Sequence, residues 1–126
     1  MRKLAILCLL GLISLLGWPQ PTMSVTMSVV TVTAYHPGVY GGKGVPKGMT
    51  ASGQMVAEGM LAVSRDVERS LNLGFGDRVL LHGMGVFEFQ DRMHPRLKQK
   101  ADVFMTTKKK ALKFGVRRYV VLVKMA

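Results

Sequence analysis

Asp91 and Asp102 stand eleven residues apart in a chain that holds only 7 acidic residues against 18 Lys and Arg. Each ends or begins an apolar run. In Val86-Phe87-Glu88-Phe89-Gln90-Asp91 the two-residue period of a strand predicts Phe87, Phe89 and Asp91 on one side, with Glu88 and Gln90 on the other. In Asp102-Val103-Phe104-Met105-Thr106 the same period groups Asp102 with Phe104 and Thr106. A carboxyl held beside Phe rings is poorly solvated, which raises its pKa and suits it to exchange a proton near neutral pH. Taken alone, both residues also fit the structural role that loop aspartates fill by bonding turn amides.

Other chemistries have less support. His36, His82 and His94 are scattered without ligand spacing, so neither a metal nor any other cofactor is expected. Cys8 is the only cysteine and lies in the apolar N-terminal stretch, which leaves the rest of the chain without thiolate or disulfide chemistry. Thr50 and Ser52 are ordinary turn residues by type, and Tyr35 serves either barrel packing or a platform for a sugar ring.

These side chains must be held by a single small domain, since 126 residues at 48% hydrophobic and 20% charged are globular and too short to divide. The first 24 residues stand apart from it. Arg2-Lys3, the apolar run Leu4 to Gly17 and the break at Trp18-Pro19-Gln20-Pro21 have the organisation of a signal peptide, with Thr22 and Ser24 as small residues before a cut at Val25. Left uncut, the segment is an N-terminal anchor, and in both cases the domain 25–126 faces outward. Loss of Arg2 and Lys3 lowers the net charge of +11 by two and leaves a strongly basic domain drawn to polyanions. The basic residues lack interleaved aromatics, so anionic wall polymers or a membrane surface are expected rather than nucleic acid.

The elements follow from periodicity and turn chemistry. Strands are predicted at Val25 to Tyr35, Met60 to Val63, Arg78 to His82, Val86 to Asp91, Asp102 to Met105 and Tyr119 to Val123. The Gly- and Pro-rich stretch His36 to Gly48 is a loop. Ser64 caps a brief helix from Arg65 to Leu73 that exits at Gly74, and Thr106 or Thr107 caps Lys108 to Phe114, a solvated Lys-rich helix stopped by Gly115. Six strands with one or two short helices in about a hundred residues predict an all-β, six-stranded closed barrel.

Val32-Thr33-Ala34-Tyr35, Thr50-Ala51-Ser52-Gly53, Leu61-Ala62-Val63-Ser64-Arg65-Asp66, Phe75-Gly76-Asp77-Arg78-Val79, Gly83-Met84-Gly85-Val86-Phe87, Asp91, Ala101-Asp102-Val103-Phe104-Met105 and Ala111 to Arg117 together resemble the 3D domain, so called for three aspartates. The resemblance spans roughly Val29 to Val123. It implies a double-psi β-barrel like that of the MltA-type lytic transglycosylases, and peptidoglycan as substrate. Asp91 and Asp102 match two of the family's aspartates. The chain departs from the pattern at Arg92, where Thr is usual, and at Ser64, where the family carries Asp, while Asp66 follows two residues on. By this resemblance Asp102 is the catalytic acid, Asp91 supports it, and Thr50 contacts the substrate; Ser52 and Tyr35 are further candidates for substrate binding.

Ordinary glycosidases flank the scissile bond with two carboxyls. The reaction implied by the resemblance needs one, because the C6 hydroxyl of N-acetylmuramic acid attacks its own C1 to give a 1,6-anhydro product. Asp91 is expected to raise the pKa of Asp102 through like charge or to orient it, whereas Arg92, Lys98 and Lys100 are close enough in sequence to oppose that. Two functional classes are therefore open, a lytic transglycosylase and a non-catalytic module that binds wall glycan.

Overall fold

A computed structural model describes residues 26–36 and 48–125, together with residue 17. The N-terminal segment 1–24 with Cys8, the cut before Val25 and most of the loop 36–48 lie outside the described residues. The fold is mostly β: six strands, β1 (Met27–Tyr35), β2 (Met60–Val63), β3 (Arg78–Leu81), β4 (Gly85–Arg92), β5 (Lys100–Phe104) and β6 (Arg117–Lys124), with helices α1 (Arg65–Ser70) and α2 (Lys108–Phe114). Neither helix is long and apolar enough to cross a membrane.

The strands close into a barrel in the order β1-β5-β2-β4-β3-β6. Pairing is parallel between β1 and β5 and between β2 and β4, and antiparallel elsewhere. The connection from β1 to β2 passes over β5, and the connection from β4 to β5 passes over β2. The closed six-stranded all-β barrel with two short helices is the fold class expected from the strand pattern.

Alternation along the strands sends one set of side chains inward. Val30 and Val32 of β1, Leu61 and Val63 of β2, Val79 and Leu81 of β3, and Ala101 and Val103 of β5 are all buried. Phe89, Val120 and Leu122 complete the interior, and Val67, Leu71 and Leu73 in and after α1 extend it. A closed barrel has no free sheet edge, so this core is the main source of stability in a domain without a disulfide.

Three local expectations change. Helix α1 is shorter than Arg65 to Leu73, and Asn72 (φ 49°), not Gly74, takes the left-handed conformation that ends it. Ser64 occupies the N-cap position but makes no side-chain cap, because its Oγ instead accepts from the Lys100 amide at 3.0 Å. The third change is a bulge in β4. Leu61 pairs with Phe89 but Ala62 pairs with Asp91, so Gln90 is an extra residue. Asp91 therefore leaves the side of Phe89 and faces outward with Ala62, against the simple alternation. Without the bulge Asp91 would stand opposite Val63 and turn toward the apolar interior, where an unpaired carboxylate is very costly. Thr107 caps α2 as expected, its side chain accepting from the Lys110 amide at 3.1 Å.

Candidate active site

Asp91 and Asp102 come together on the outer wall through strand register alone. Thr33 of β1 pairs with Asp102 of β5, Asp102 pairs with Ala62 of β2, and Ala62 pairs with Asp91 of β4. One row thus crosses four adjacent strands as Thr33, Asp102, Ala62, Asp91. With a single strand between them, the backbones of the two aspartates lie about 10 Å apart. Ala62, itself buried, places only a methyl group in the row between the two aspartates.

Asp102 is only 7% exposed. Burial is the main influence on its carboxyl and pushes the pKa up from 3.8 to about 6, the Thr33 hydrogen bond opposes this, and the charge of Asp91 adds to the rise. Thr33 Oγ1 donates to Asp102 Oδ1 at 3.0 Å, a bond that favours the charged carboxylate and fixes the group against β1. Phe104 lies on the same face as Asp102, two residues on, and its ring meets Tyr35 edge-on at 5.7 Å between centroids. The expected poor solvation of the carboxyl holds for Asp102.

Asp91 is more open and acts as a clasp. Its Oδ1 accepts from the Ala51 amide at 2.9 Å and from the Arg92 amide at 2.9 Å. The Gln90 carbonyl accepts from the Ser52 amide at 3.1 Å, so the bulge and Asp91 together hold the turn Thr50 to Gly53 against β4. Thr50 is buried and its hydroxyl is occupied in building that turn. It meets Ser52 Oγ at 2.7 Å, bonds the Gln54 carbonyl at 3.0 Å and accepts from the Gln54 amide at 3.2 Å. Of the pair, Ser52 is the more exposed and the better placed to meet a ligand. Tyr35 is buried against Phe104, in keeping with barrel packing.

Arg92, the cation next to Asp91 in sequence, is directed elsewhere. Arg92 Nε donates to both carboxylate oxygens of Glu68 at 2.9 Å, Nη2 donates to Oε1 at 2.8 Å, and the guanidinium lies 4.5 Å over the Phe75 ring. The Glu68 hydrogen bonds raise Arg92 above its ordinary pKa. The charge that acts on Asp102 is that of Asp91.

Ser64 and Asp66 share one task away from the two carboxyls. The Lys100 amide donates to Ser64 Oγ, and the Gln99 amide donates to Asp66 Oδ2 at 2.9 Å. Burial would raise Asp66, but hydrogen bonds from Ser64 and from the Gln99 amide outweigh it and hold the pKa below 3.8. Asp66 is thus a charged brace for the start of β5, the strand that carries Asp102.

Thr33, Ala62 and Gln90 were not singled out from sequence. Alternation along β1 does turn Thr33 outward, but its partner is 69 residues away across a parallel pairing, and nothing local announces that. Thr33→Val, which keeps the shape and removes the donor, is expected to raise the titration midpoint of Asp102 above about 6, while Thr33→Ser leaves it near the parent value. Carboxyl 13C chemical shifts followed against pH would show this, and an unchanged midpoint in Thr33→Val would remove Thr33 from the account. Among the described residues no group of His, Cys, Asp and Glu could hold a metal ion. No protein-family model matches the chain, and no curated protein matches it.

Proposed function

We propose that this domain is a lytic transglycosylase that cleaves the MurNAc-GlcNAc bond of peptidoglycan and is exported to the cell envelope, with residues 1–24 as its signal or anchor. The observation that carries the reading is Asp102, a carboxyl that keeps its proton to about pH 6 on an outer wall beside a second, more open carboxylate. A proton held to that pH is available to a departing sugar oxygen near neutrality. In the reaction, Asp102 protonates the glycosidic oxygen as the bond to C1 of N-acetylmuramic acid breaks. The C6 hydroxyl of the same sugar then closes on C1 and returns its proton to the Asp102 carboxylate, so no water is consumed. Asp91 supports the step through its charge and by clasping the Thr50 to Gly53 turn, and Ser52 is the candidate for a sugar contact. The high positive charge favours association with anionic wall polymers.

The test is incubation of the full chain with purified peptidoglycan and mass spectrometry of the released fragments. Products carrying 1,6-anhydroMurNAc are expected. Products with a reducing MurNAc end would replace the transglycosylase by a hydrolase, and retention on the glycan without fragments would favour a non-catalytic wall-binding module.

A further inference from the structure

The barrel wall opposite the two carboxyls carries an exposed apolar face. In the closed order β1-β5-β2-β4-β3-β6, the site centres on β5 and β2, and the strands facing them across the barrel are β3 and β6. There Met27 pairs with Val123, Val123 with Leu80, and Leu80 with Val86, one row across β1, β6, β3 and β4. Val29 pairs with Val121 beside it. Met27 is 58% exposed, and Val29, Leu80 and Val86 are exposed with it. These are outward positions, since Val30, Val79, Val120 and Leu122 fill the inward ones. Tyr119 extends the face along β6, where the pairing register slips. It is 86% exposed and held at φ 58°, an uncommon conformation for an aromatic residue.

We infer that this face rests on an anionic lipid surface and so turns the Asp102 face away from the membrane. Three features favour lipid as the occupant. Exposed arginines stand at its two ends, Arg78 at one, where Glu88 of β4 is its strand partner, and Arg117 and Arg118 at the other. Tyr119 joins an apolar ring to a polar tip, the combination favoured at a membrane interface. Met27, at the rim, lies only ten residues beyond Gly17, the end of the apolar run that starts at Leu4, so a chain held in the bilayer through that run presents this wall first. An apolar patch with basic ends gains from both burial and attraction to anionic headgroups. The inference does not depend on which reaction Asp102 performs.

Single cysteines introduced at Val29, Val86 and Met55 in a Cys8→Ser full chain provide the test, each labelled with a nitrobenzoxadiazole fluorophore. Met55 is exposed next to the Thr50 to Gly53 turn and serves as the control. In phosphatidylglycerol vesicles, reduction by dithionite is expected to be about tenfold slower at Val29 and Val86 than at Met55, because labels at the first two enter the headgroup region. Equal rates at the three positions would overturn the inference. So would protection that persists without vesicles: if it grows with protein concentration the occupant is a second copy, and if it does not the occupant is the N-terminal segment of the same chain.

Discussion

Asp102→Asn is expected to stabilise the protein at pH 7 by about 2–3 kcal/mol while lowering the rate of glycan cleavage by about a thousandfold. The stability effect follows from the direction of the pKa shift. Below pH 3.8 the Asp102 carboxyl is protonated in both the folded and the unfolded chain, and its burial carries no ionisation penalty. Between 3.8 and about 6 the unfolded chain releases the proton while the folded protein keeps it, so stability falls as pH rises. Above about pH 6 the full penalty is present, about 3 kcal/mol for a shift of this size. Asparagine is the shape of the protonated acid, can still accept from Thr33, and never ionises. Urea unfolding should therefore show the variant and the parent equal near pH 3 and separated at pH 7. The activity effect has the same origin, because the group that resists ionisation is the group proposed to supply the proton. A variant less stable than its parent at pH 7 would show that the charged carboxylate is the form the fold prefers.

Phe89→Ala is expected to cost about 3–5 kcal/mol, a large part of the 5–15 kcal/mol that holds a typical domain together. The ring is fully buried and stacks on Phe75 at 5.1 Å between centroids, with the Arg92 guanidinium on Phe75 in turn. Its loss opens a cavity directly before the bulge at Gln90, the feature that turns Asp91 outward. The damage should reach the site before the whole fold fails. Hydrogen exchange at the Ala51 amide, which bonds Asp91, is expected to accelerate under conditions where the barrel amides remain protected. Equal loss of protection everywhere would mean that the clasp has no separate dependence on Phe89.

The strands were legible because each carries local signals, namely branched residues in alternation and glycine-bearing turns such as Gly83 to Gly85. Met60 to Val63 and Lys108 to Phe114 have the boundaries expected of them. The closed barrel and its six strands follow from that pattern. Asp91 was recognised, but the face it occupies was not, since a bulge is decided by the pairing of β4 with β2 and leaves no mark on the alternation of β4 itself. Ser64 shows the same limit: its type and position fit a helix cap, yet the Lys100 amide, 36 residues away, takes the side chain. Arg92 is close enough to Asp102 in sequence to oppose its rise in pKa, whereas Glu68 holds it elsewhere. Each of these departures arises from a contact between distant parts of the chain, which no local period encodes.

The account rests on Asp102 holding a proton close to neutral pH. Its carboxyl carbon can be observed by NMR in the full chain, assigned by comparison with Asp102→Asn, and titrated from pH 3 to pH 8. A midpoint near 6 that moves down in Asp91→Asn, as removal of the neighbouring charge requires, is the predicted result. A midpoint at or below 3.8 would contradict the account, because Asp102 would then be a structural carboxylate without a proton to give.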